Sequence, residues 1–329
     1  MRQAMANAEV GDEQRREDPT VNELERRTAE LLGQEEAVYL PTATMANQIA
    51  LRVLTRPGQE VLAEESSHIF GAELAGPAVH SGLAMRAIDS ENGRFTPEQV
   101  RAKLRDWGSF HTPATTVLVL EDTHNSAGGR YWRMEELSRV AELAGELGLK
   151  LHLDGARLFN AVVARGVPAA EFAAQFDTVS ICLSKGLGCP LGALVAGSHE
   201  LMQNARWNKH LFGGAMRQAG IVAAAGVYAL EHNIERLADD HARARRLAEG
   251  LRERGVNLDV GAVETNFVQI DVGPNRAGAL ARLREEGVLL STTIHPTVVR
   301  AVTHLDVTDD DIEQAVERIP RALGVAAHA

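Results

Sequence analysis

The chain has 329 residues, of which 45% are hydrophobic and 24% charged, and its formal net charge is −11. This composition is typical of a globular protein with one large or two ordinary domains, and it excludes a disordered chain. The acidic excess argues against binding to a phosphate backbone, so we expect no nucleic-acid partner.

Membrane attachment and secretion are equally disfavoured. The most apolar stretches, Thr116–Leu120 and Ile221–Leu230, are far shorter than the roughly 18 residues of a membrane span. The first 18 residues contain no apolar core of a signal peptide, and the two cysteines, Cys182 and Cys189, favour packing roles in a reducing compartment. We therefore expect a cytoplasmic protein without a membrane partner.

Predicted strands and helices alternate closely through the first two hundred residues. The spacing of apolar side chains predicts helices at Thr20–Leu32, Thr42–Leu54, Pro97–Arg105 and Met134–Leu147. It predicts strands at Ala37–Leu40, Glu60–Ala63, Met85–Ile88, Val117–Leu120, Leu149–Leu153, Asp177–Leu183 and Gly192–Ala196. This order predicts βαβ units in a mostly parallel sheet with helices on both faces, an α/β fold.

The pattern changes towards the carboxyl terminus. A helix-rich stretch, Glu200–Arg254, contains an apolar segment at Ala223–Leu230 that must be buried. Beyond it we predict strands at Val263–Val272, Val288–Ser291 and Val298–His304, and helices at Ala277–Glu286 and Asp309–Arg321. From the element order we expect an arm at residues 1–20, a large α/β domain at 21–235 and a small α+β domain at 236–329.

Two charged residues follow neighbouring predicted strands. Asp154 ends the strand Leu149–Leu153, and Lys185 follows Asp177–Leu183, about 30 residues further on, which is the length of one βαβ unit. Ligands of such sheets bind outside the carboxyl ends of the strands. A lysine that bonds to an aldehyde and an acid that keeps a pyridine nitrogen protonated would suit pyridoxal phosphate. A buried ion pair is the alternative explanation.

Three further features lie at predicted strand or helix ends. The turn Thr42-Ala43-Thr44 offers hydroxyls and free amides for a phosphate, although an ordinary helix cap has the same pattern. His68 and His124 each follow a strand and would face the same edge as Asp154. They are candidates for catalysis, and hydrogen-bonded structural histidines are the alternative.

Several sequence runs together resemble one enzyme family. They are DPTVNELE (18–25), LPTATMAN (40–47), EDTHN (121–125), HLDGARLFNA (152–161), SICLSKGLGCPLGA (180–193), GGAMRQAG (213–220) and VVRAVTHLDVT (298–308). In this order they resemble the low-specificity L-threonine aldolases, which are pyridoxal-phosphate enzymes of fold type I, similar to aspartate aminotransferase. The resemblance runs along essentially the whole chain.

The resemblance implies cofactor-binding roles for several residues. Lys185 would bond to the cofactor aldehyde, Asp154 would pair with the pyridine nitrogen, and His68 would stack on the ring. Thr42, Ala43 and Thr44 would hold the phosphate. The family forms dimers, often paired into tetramers, and Arg217 would reach the phosphate across the subunit interface.

The resemblance also implies how an amino-acid substrate is bound. Arg157 and Arg300 would bind the substrate carboxylate, and His124 would lie near the substrate hydroxyl as the preferred base or proton relay, with His68 as the next candidate. The implied reaction is retro-aldol cleavage of L-threonine, L-allo-threonine or a related β-hydroxy-α-amino acid to glycine and an aldehyde. No metal is expected.

The sequence departs from the family pattern at several points, which include the phosphate turn, the amino-terminal segment and the altered spacing of the loop HNSAGGRYW that begins at His124. The usual phosphate turn reads TGT, and Ala43 replaces its glycine, which would cost about 1 kcal/mol if that position needed a positive φ. The family's amino-terminal SDT-like segment is absent, so we expect either an internal start or a partly lost substrate site. Two alternatives therefore stay open: a related enzyme acting at Cα, such as a racemase, transaldolase or β-eliminating lyase, and a cofactor-binding protein with impaired activity.

Overall fold

The computed structural model describes residues 1–105 and 110–325. Within them lie ten strands: β1 (Glu36–Leu40), β2 (Glu60–Glu64), β3 (Ala84–Ile88), β4 (Thr115–Glu121), β5 (Lys150–Gly155), β6 (Thr178–Cys182), β7 (Ala193–Gly197), β8 (Phe267–Asp271), β9 (Ser291–Thr292) and β10 (Val298–Val302). The seven strands predicted before residue 200 are all present, with ends shifted by one or two residues.

The same residues contain fourteen α-helices. They are α1 (Arg2–Ala6), α2 (Pro19–Leu32), α3 (Ala43–Leu54), α4 (His68–Gly71), α5 (Gly76–Ser81), α6 (Pro97–Lys103), α7 (Met134–Glu146), α8 (Leu158–Arg165), α9 (Ala169–Ala173), α10 (His199–Leu211), α11 (Gly220–His232), α12 (Leu237–Glu253), α13 (Arg276–Glu285) and α14 (Asp309–Leu323). The sequence did not predict α1, α4, α5, α8 or α9, because helices of one or two turns show too little periodicity.

The large sheet has seven strands in the order β1-β7-β6-β5-β4-β2-β3. All neighbouring pairs are parallel except those of β7, which runs antiparallel to both β1 and β6. The predicted mostly parallel sheet is therefore confirmed. The carboxyl ends of the other six strands consequently meet at one edge, which we call the carboxyl edge.

Helices cover both faces of this sheet. Along β1, Ala37 and Tyr39 face the core formed with α2 and α11, whereas Val38 and Leu40 face the core formed with α3 and α10. A strand buried on both faces must be apolar at every position, which is why β1 does not alternate. The predicted apolar helix is α11, and its Gly226 lets α2 approach: a Cβ there would lie 2.8 Å from Leu24.

Local capping explains where the helices nearest the site begin. Asp18 accepts hydrogen bonds from the backbone amides of Thr20 and Val21, at 3.1 and 3.0 Å, and so caps α2. Thr42 caps α3 by accepting from the Met45 amide at 3.2 Å. Each such cap contributes about 1 kcal/mol to stability. The start of α3 is thereby fixed directly after β1, at the carboxyl edge.

The carboxyl-terminal region forms a separate antiparallel sheet, β8-β10-β9. The predicted strand Val263–Val272 is too long: the chain first makes a 3-10 turn at Val260–Ala262, and β8 begins only at Phe267. The reason is that Thr265 is bonded elsewhere, its Oγ1 donating to the Gly129 carbonyl at 2.7 Å.

The predicted strand Val288–Ser291 is also wrong in extent. Only Ser291 and Thr292 pair with β10, while Leu289 is 76% exposed and Val288 and Leu290 pack on the core of this region. These apolar residues form an irregular segment after α13. Their hydrophobic side chains follow one another as in a strand, and the sequence alone therefore predicted one. The helices predicted here are confirmed as α13 and α14.

The carboxyl-terminal region has a second core of its own, separate from the cores on the faces of the large sheet, and this is consistent with the predicted division at residue 235/236. The second core is built from α12, α13, α14 and the small sheet, and α12 begins at Leu237. We keep the three-part division as a proposal, with residues 326–329 of its last part lying outside the described residues. No helix in the described part of the chain combines the length and apolar character needed to cross a bilayer.

Candidate active site

Four of the predicted site residues lie along the carboxyl edge of the large sheet. His68 follows β2, His124 follows β4, Asp154 lies near the end of β5, and Lys185 follows β6. Strands β5 and β6 are parallel neighbours, as the spacing of Asp154 and Lys185 predicted. The sheet order therefore brings together side chains that are far apart in the chain.

The amine of Lys185 is half-buried and has no hydrogen-bond or ion-pair partner among the described residues. Burial lowers its pKa from the usual lysine value, and the nearby Arg157 lowers it further. No ion pair joins Lys185 to Asp154 in the described structure. The alternative explanation of the two residues as a buried ion pair is therefore wrong.

The carboxylate of Asp154 is buried and held by two donors. Its Oδ2 accepts from Asn47 Nδ2 at 2.7 Å, and its Oδ1 accepts from the Ala156 amide at 3.1 Å. An ionised carboxylate has further lone pairs and can only accept hydrogen bonds. Asp154 thus retains the capacity to accept a proton donor such as a pyridinium N–H.

His68 begins the short helix α4 and is fixed at two points. Its backbone amide donates to Glu121 Oε2 at 2.6 Å, and its ring Nδ1 lies 2.7 Å from Glu73 Oε1. The hydrogen bond to Glu73 is the main reason that the pKa of His68 is raised from the ordinary histidine value. Its Nε2 has no partner among the described residues.

His124 is buried, with both ring nitrogens bonded. Nε2 lies 3.1 Å from Glu64 Oε2, and Nδ1 accepts from the Ala127 amide at 3.3 Å. Burial lowers the pKa of His124, but the charges of Glu121 and Glu64 outweigh it and leave the pKa raised. Gly93, at φ +80°, packs on the ring so closely that a Cβ would overlap it.

Two arginines from different parts of the fold meet beside these groups. Arg157, at the start of α8, and Arg300, on β10, both donate to Asn125 Oδ1, at 3.3 and 2.6 Å. Each guanidinium carbon lies 4.6 Å from the centre of the Phe267 ring. Burial, followed by the charge of Arg300, lowers the pKa of Arg157 to about 10. Neither forms an ion pair with a carboxylate in the described residues, so an anionic ligand would suit them.

The turn at the start of α3 has the features of a phosphate site. Apart from the Thr42 cap, the amides of Ala43 and Thr44 and the hydroxyl of Thr44 have no partner among the described residues. Ala43 does not have a positive φ, so its replacement of the family's glycine carries no backbone strain. Arg217 is exposed and pairs with Asp12 at 3.1 Å.

Sequence reasoning missed the residues that hold these side chains in place. They share no motif with the groups they bind, and they are Asn47, Glu64, Glu73, Asn125 and Phe267. For Asn47 in α3 and Glu64 at the end of β2, the signal available was a polar residue within an otherwise apolar element. Such a signal identifies a polar contact but does not tell which partner is contacted.

The edge groups fit pyridoxal phosphate. Lys185 offers an amine without a partner among the described residues, and Asp154 offers an acceptor-only carboxylate on the neighbouring strand. The amides of Ala43 and Thr44 at the start of α3, which have no such partner either, suit a phosphate. Together with the mostly parallel sheet and its small carboxyl-terminal partner, these groups define a pyridoxal-phosphate-dependent enzyme of fold type I.

Comparisons with known proteins narrow this class. The sequence model of the beta-eliminating lyase family matches residues 1–273. A low specificity L-threonine aldolase of Escherichia coli is 41% identical over 95% of this chain and 92% of its own length. The chain belongs to the beta-eliminating lyase family and, within it, to the low-specificity L-threonine aldolases, and it is a pyridoxal-phosphate-dependent lyase.

Solved structures agree on the fold. The threonine aldolase of Leishmania major superposes with a TM-score of 0.80 at 22% identity, covering 93% of this chain and 90% of that one. A serine palmitoyltransferase solved with pyridoxal phosphate gives a TM-score of 0.75 at 20% identity, covering 98% of this chain and 83% of that one. The predicted fold class is thereby confirmed.

Proposed function

We propose that this chain cleaves L-threonine, L-allo-threonine and related β-hydroxy-α-amino acids to glycine and an aldehyde by retro-aldol cleavage. One observation carries the proposal: an unpaired amine, Lys185, stands beside an acceptor-only carboxylate, Asp154, at the ends of adjacent parallel strands. The family supplies the reaction class, and the two unpaired arginines give the reason for an amino-acid substrate.

The cofactor-binding roles follow from the polar groups of the site that can still form a bond or accept or donate a hydrogen bond. Lys185 would bond to the aldehyde of pyridoxal phosphate, Asp154 would accept a hydrogen bond from its ring nitrogen, and the turn Thr42-Ala43-Thr44 would hold the phosphate through amides and hydroxyls. The lowered pKa of Lys185 favours the neutral amine, which is the form that bonds to a carbonyl carbon. The chemistry that pyridoxal phosphate would supply here is an acceptor for the electrons of the substrate's Cα–Cβ bond as that bond breaks.

Arg157 and Arg300 bind the substrate carboxylate. Their planar guanidinium groups match the two oxygens of a carboxylate, and their approach from different elements fixes its orientation. Holding the carboxylate sets the angle of the Cα–Cβ bond relative to the cofactor ring. The pair therefore selects which bond at Cα breaks.

His124 is the preferred group to accept the proton of the substrate hydroxyl, either as the base itself or as part of a proton relay. Glu64 accepts from Nε2 of His124, which leaves Nδ1 as the nitrogen with a lone pair. The Ala127 amide donates to Nδ1 at 3.3 Å, so this hydrogen bond must break when Nδ1 takes up a proton. His68 supports the cofactor ring. It is also the second candidate for the base, because its Nε2 has no partner in the described residues.

The oligomer we propose is a homodimer or homotetramer with sites between subunits. Exposed apolar side chains lie on α10 and on or just before α5, two helices that both pack against α3: Leu74, Val79, Trp207 and Leu211. Their exposure near the phosphate turn supports coverage by a second copy, whose Arg217 would exchange Asp12 for the phosphate. Light scattering on the purified protein tests this, and a monomer at catalytic concentrations would contradict it.

We propose a cytoplasmic location and small-molecule substrates. Both cysteines are buried and unpaired, which is usual in a reducing compartment. Fractionation of cells that express the chain with its native start would test the location, and recovery outside the cytoplasm would contradict it.

The function is tested by incubating the purified holoenzyme with L-threonine and, separately, L-allo-threonine. We expect glycine and acetaldehyde in equal amounts, with D-threonine as the control substrate. Racemised amino acid or released ammonia would instead support one of the related reactions at Cα. A protein that binds the cofactor but forms no product would be the impaired relative.

A further inference from the structure

The side chain of Asn47, on the first turns of α3, forms a buried junction between four polar groups. Its Nδ2 donates to Asp154 Oδ2 at 2.7 Å and to Glu73 Oε1 at 2.9 Å. Its Oδ1 accepts from Ser180 Oγ at 2.7 Å and lies 3.2 Å from His152 Nε2. The two N–H groups and two lone pairs of a primary amide are thus all used.

The partners allow only one orientation of this amide. The two carboxylates can only accept, so the NH₂ group must face them. On the opposite side, Ser180 donates its hydroxyl proton. His152 is buried, which lowers its pKa to about 4 and keeps it neutral, and its Nδ1 can accept from Thr178 Oγ1 at 2.9 Å. Asn47 Oδ1 can only accept, so Nε2 of His152 carries the proton and donates to it, and the 3.3 Å approach of Nδ1 to the Thr178 carbonyl is then not a hydrogen bond.

The junction lies between two like charges. One oxygen of Asp154, one oxygen of Glu73 and one ring nitrogen of His68 all lie within 4.8 Å of one another. Two carboxylates at this distance repel each other in a low-dielectric interior, and a shared donor between them offsets that repulsion. The Asn47 amide supplies one N–H to each.

We propose that Asn47 is a positioning residue that holds Asp154 towards the cofactor's ring nitrogen and Glu73 towards His68 on the ring face. The inference rests on the proposed role of Asp154. The inference adds a second role for α3. Its first turn would hold the phosphate, and its residue Asn47 would position Asp154 for the ring nitrogen. Asn47 acts through these two carboxylates and not by its own contact with the cofactor.

The test measures cofactor affinity rather than turnover. Purified full-length protein is stripped of pyridoxal phosphate and titrated with it, following the visible absorbance band. Asn47→Asp replaces the NH₂ donor by an oxygen and adds a third carboxylate to the cluster. We expect the dissociation constant of pyridoxal phosphate to rise roughly 5- to 150-fold, the range for one unsatisfied buried polar group. Gln48→Glu makes the same chemical change next to Glu73 alone and is the matched comparison for the Asp154 half of the proposal, because Gln48 donates to Glu73 at 2.6 Å but not to Asp154.

A cofactor analogue separates positioning from general damage. In this analogue of pyridoxal phosphate a C–H group replaces the ring nitrogen, so Asp154 has nothing to pair with. We expect Asn47→Asp to weaken binding of pyridoxal phosphate much more than binding of the analogue. Equal weakening of both would mean a structural role only and would overturn the proposal.

Two further variants cover the remaining outcomes. If Asn47→Asp does not fold, Ser180→Ala leaves the amide in place but removes one donor to it, and a smaller loss with the same selectivity is expected. If Asp154→Asn weakens binding while the Asn47 variants bind normally, this inference alone fails. If Asp154→Asn binds as tightly as the unmodified chain, the proposed acid fails and the inference fails with it.

Discussion

The candidate site has an acid end, formed by Asp154, and an arginine end, formed by Arg157 and Arg300. The two ends differ in how fully their polar groups are hydrogen-bonded within the protein. At the acid end, Asp154 is held by an amide that is itself fully hydrogen-bonded. At the arginine end, Arg157 and Arg300 share one neutral oxygen of Asn125, and no carboxylate of the described chain pairs with them. The contrast suggests a division of labour. A resident cofactor needs a preorganised acid, whereas a substrate that comes and goes must supply its own counter-ion.

The largest expected effect concerns the residue between the two ends. Lys185→Ala removes the amine proposed to bond to the cofactor aldehyde, so we expect loss of both the visible band and aldolase activity. Absorbance before and after borohydride treatment, with a product assay, measures this. Lys150→Ala is the control, because Lys150 is exposed, pairs with Asp177 and starts β5 at the opposite edge. A Lys185→Ala protein that kept the band would remove this residue from the site.

The next largest effect tests whether His124 or His68 is the catalytic base. His124→Asn keeps a polar side chain but removes the basic nitrogen, and we expect kcat to fall about 10²- to 10⁴-fold, the usual worth of general-base catalysis. Cofactor affinity should change little, because His124 bonds to Glu64 rather than to the acid end. Steady-state kinetics and a cofactor titration measure the two quantities. A small kcat effect here with a large one in His68→Asn would assign the base to His68.

A smaller effect tests the arginine end directly. Arg300→Ala should raise KM roughly 10- to 150-fold, the range for a hydrogen bond to a charged group, with the cofactor band intact. For Arg300→Lys we expect a KM between those of the unmodified chain and Arg300→Ala, because an ammonium group cannot form two parallel hydrogen bonds to a carboxylate. Arg246→Ala, which alters an exposed arginine paired with Glu313, is the control. An unchanged KM would place the substrate carboxylate elsewhere.

The smallest effect is a shift in pH dependence. A protonated base cannot accept a proton, so kcat/KM should fall as the pH drops through the pKa of His124, which Glu121, Glu64 and the more distant Asp154 raise. Glu64→Gln removes one of these charges and should move this acid limb to lower pH. Measured profiles would tell the two histidines apart, since a limb that moved only in Glu73→Gln would belong to His68.

Sequence reasoning succeeded where the physical cause is local. The cap and start of α3 follow from Thr42 and its neighbours, and the adjacency of Asp154 and Lys185 follows from the length of one βαβ unit. It failed where strand-like apolar runs were bonded elsewhere, as before β8. It could not find the junction at Asn47, whose partners Asp154 and Ser180 lie 107 and 133 residues away.

The amino-acid sequence by itself determined the order of elements, the mostly parallel sheet and the strand ends that carry reactive side chains. Backbone hydrogen bonds and side-chain periodicity act over a few residues, and the parallel pairing of the strands then brings their carboxyl ends to one edge. Only the tertiary structure decided which donor meets which acceptor. A hydrogen bond requires agreement within a few tenths of an ångström between segments that the chain brings together from far apart.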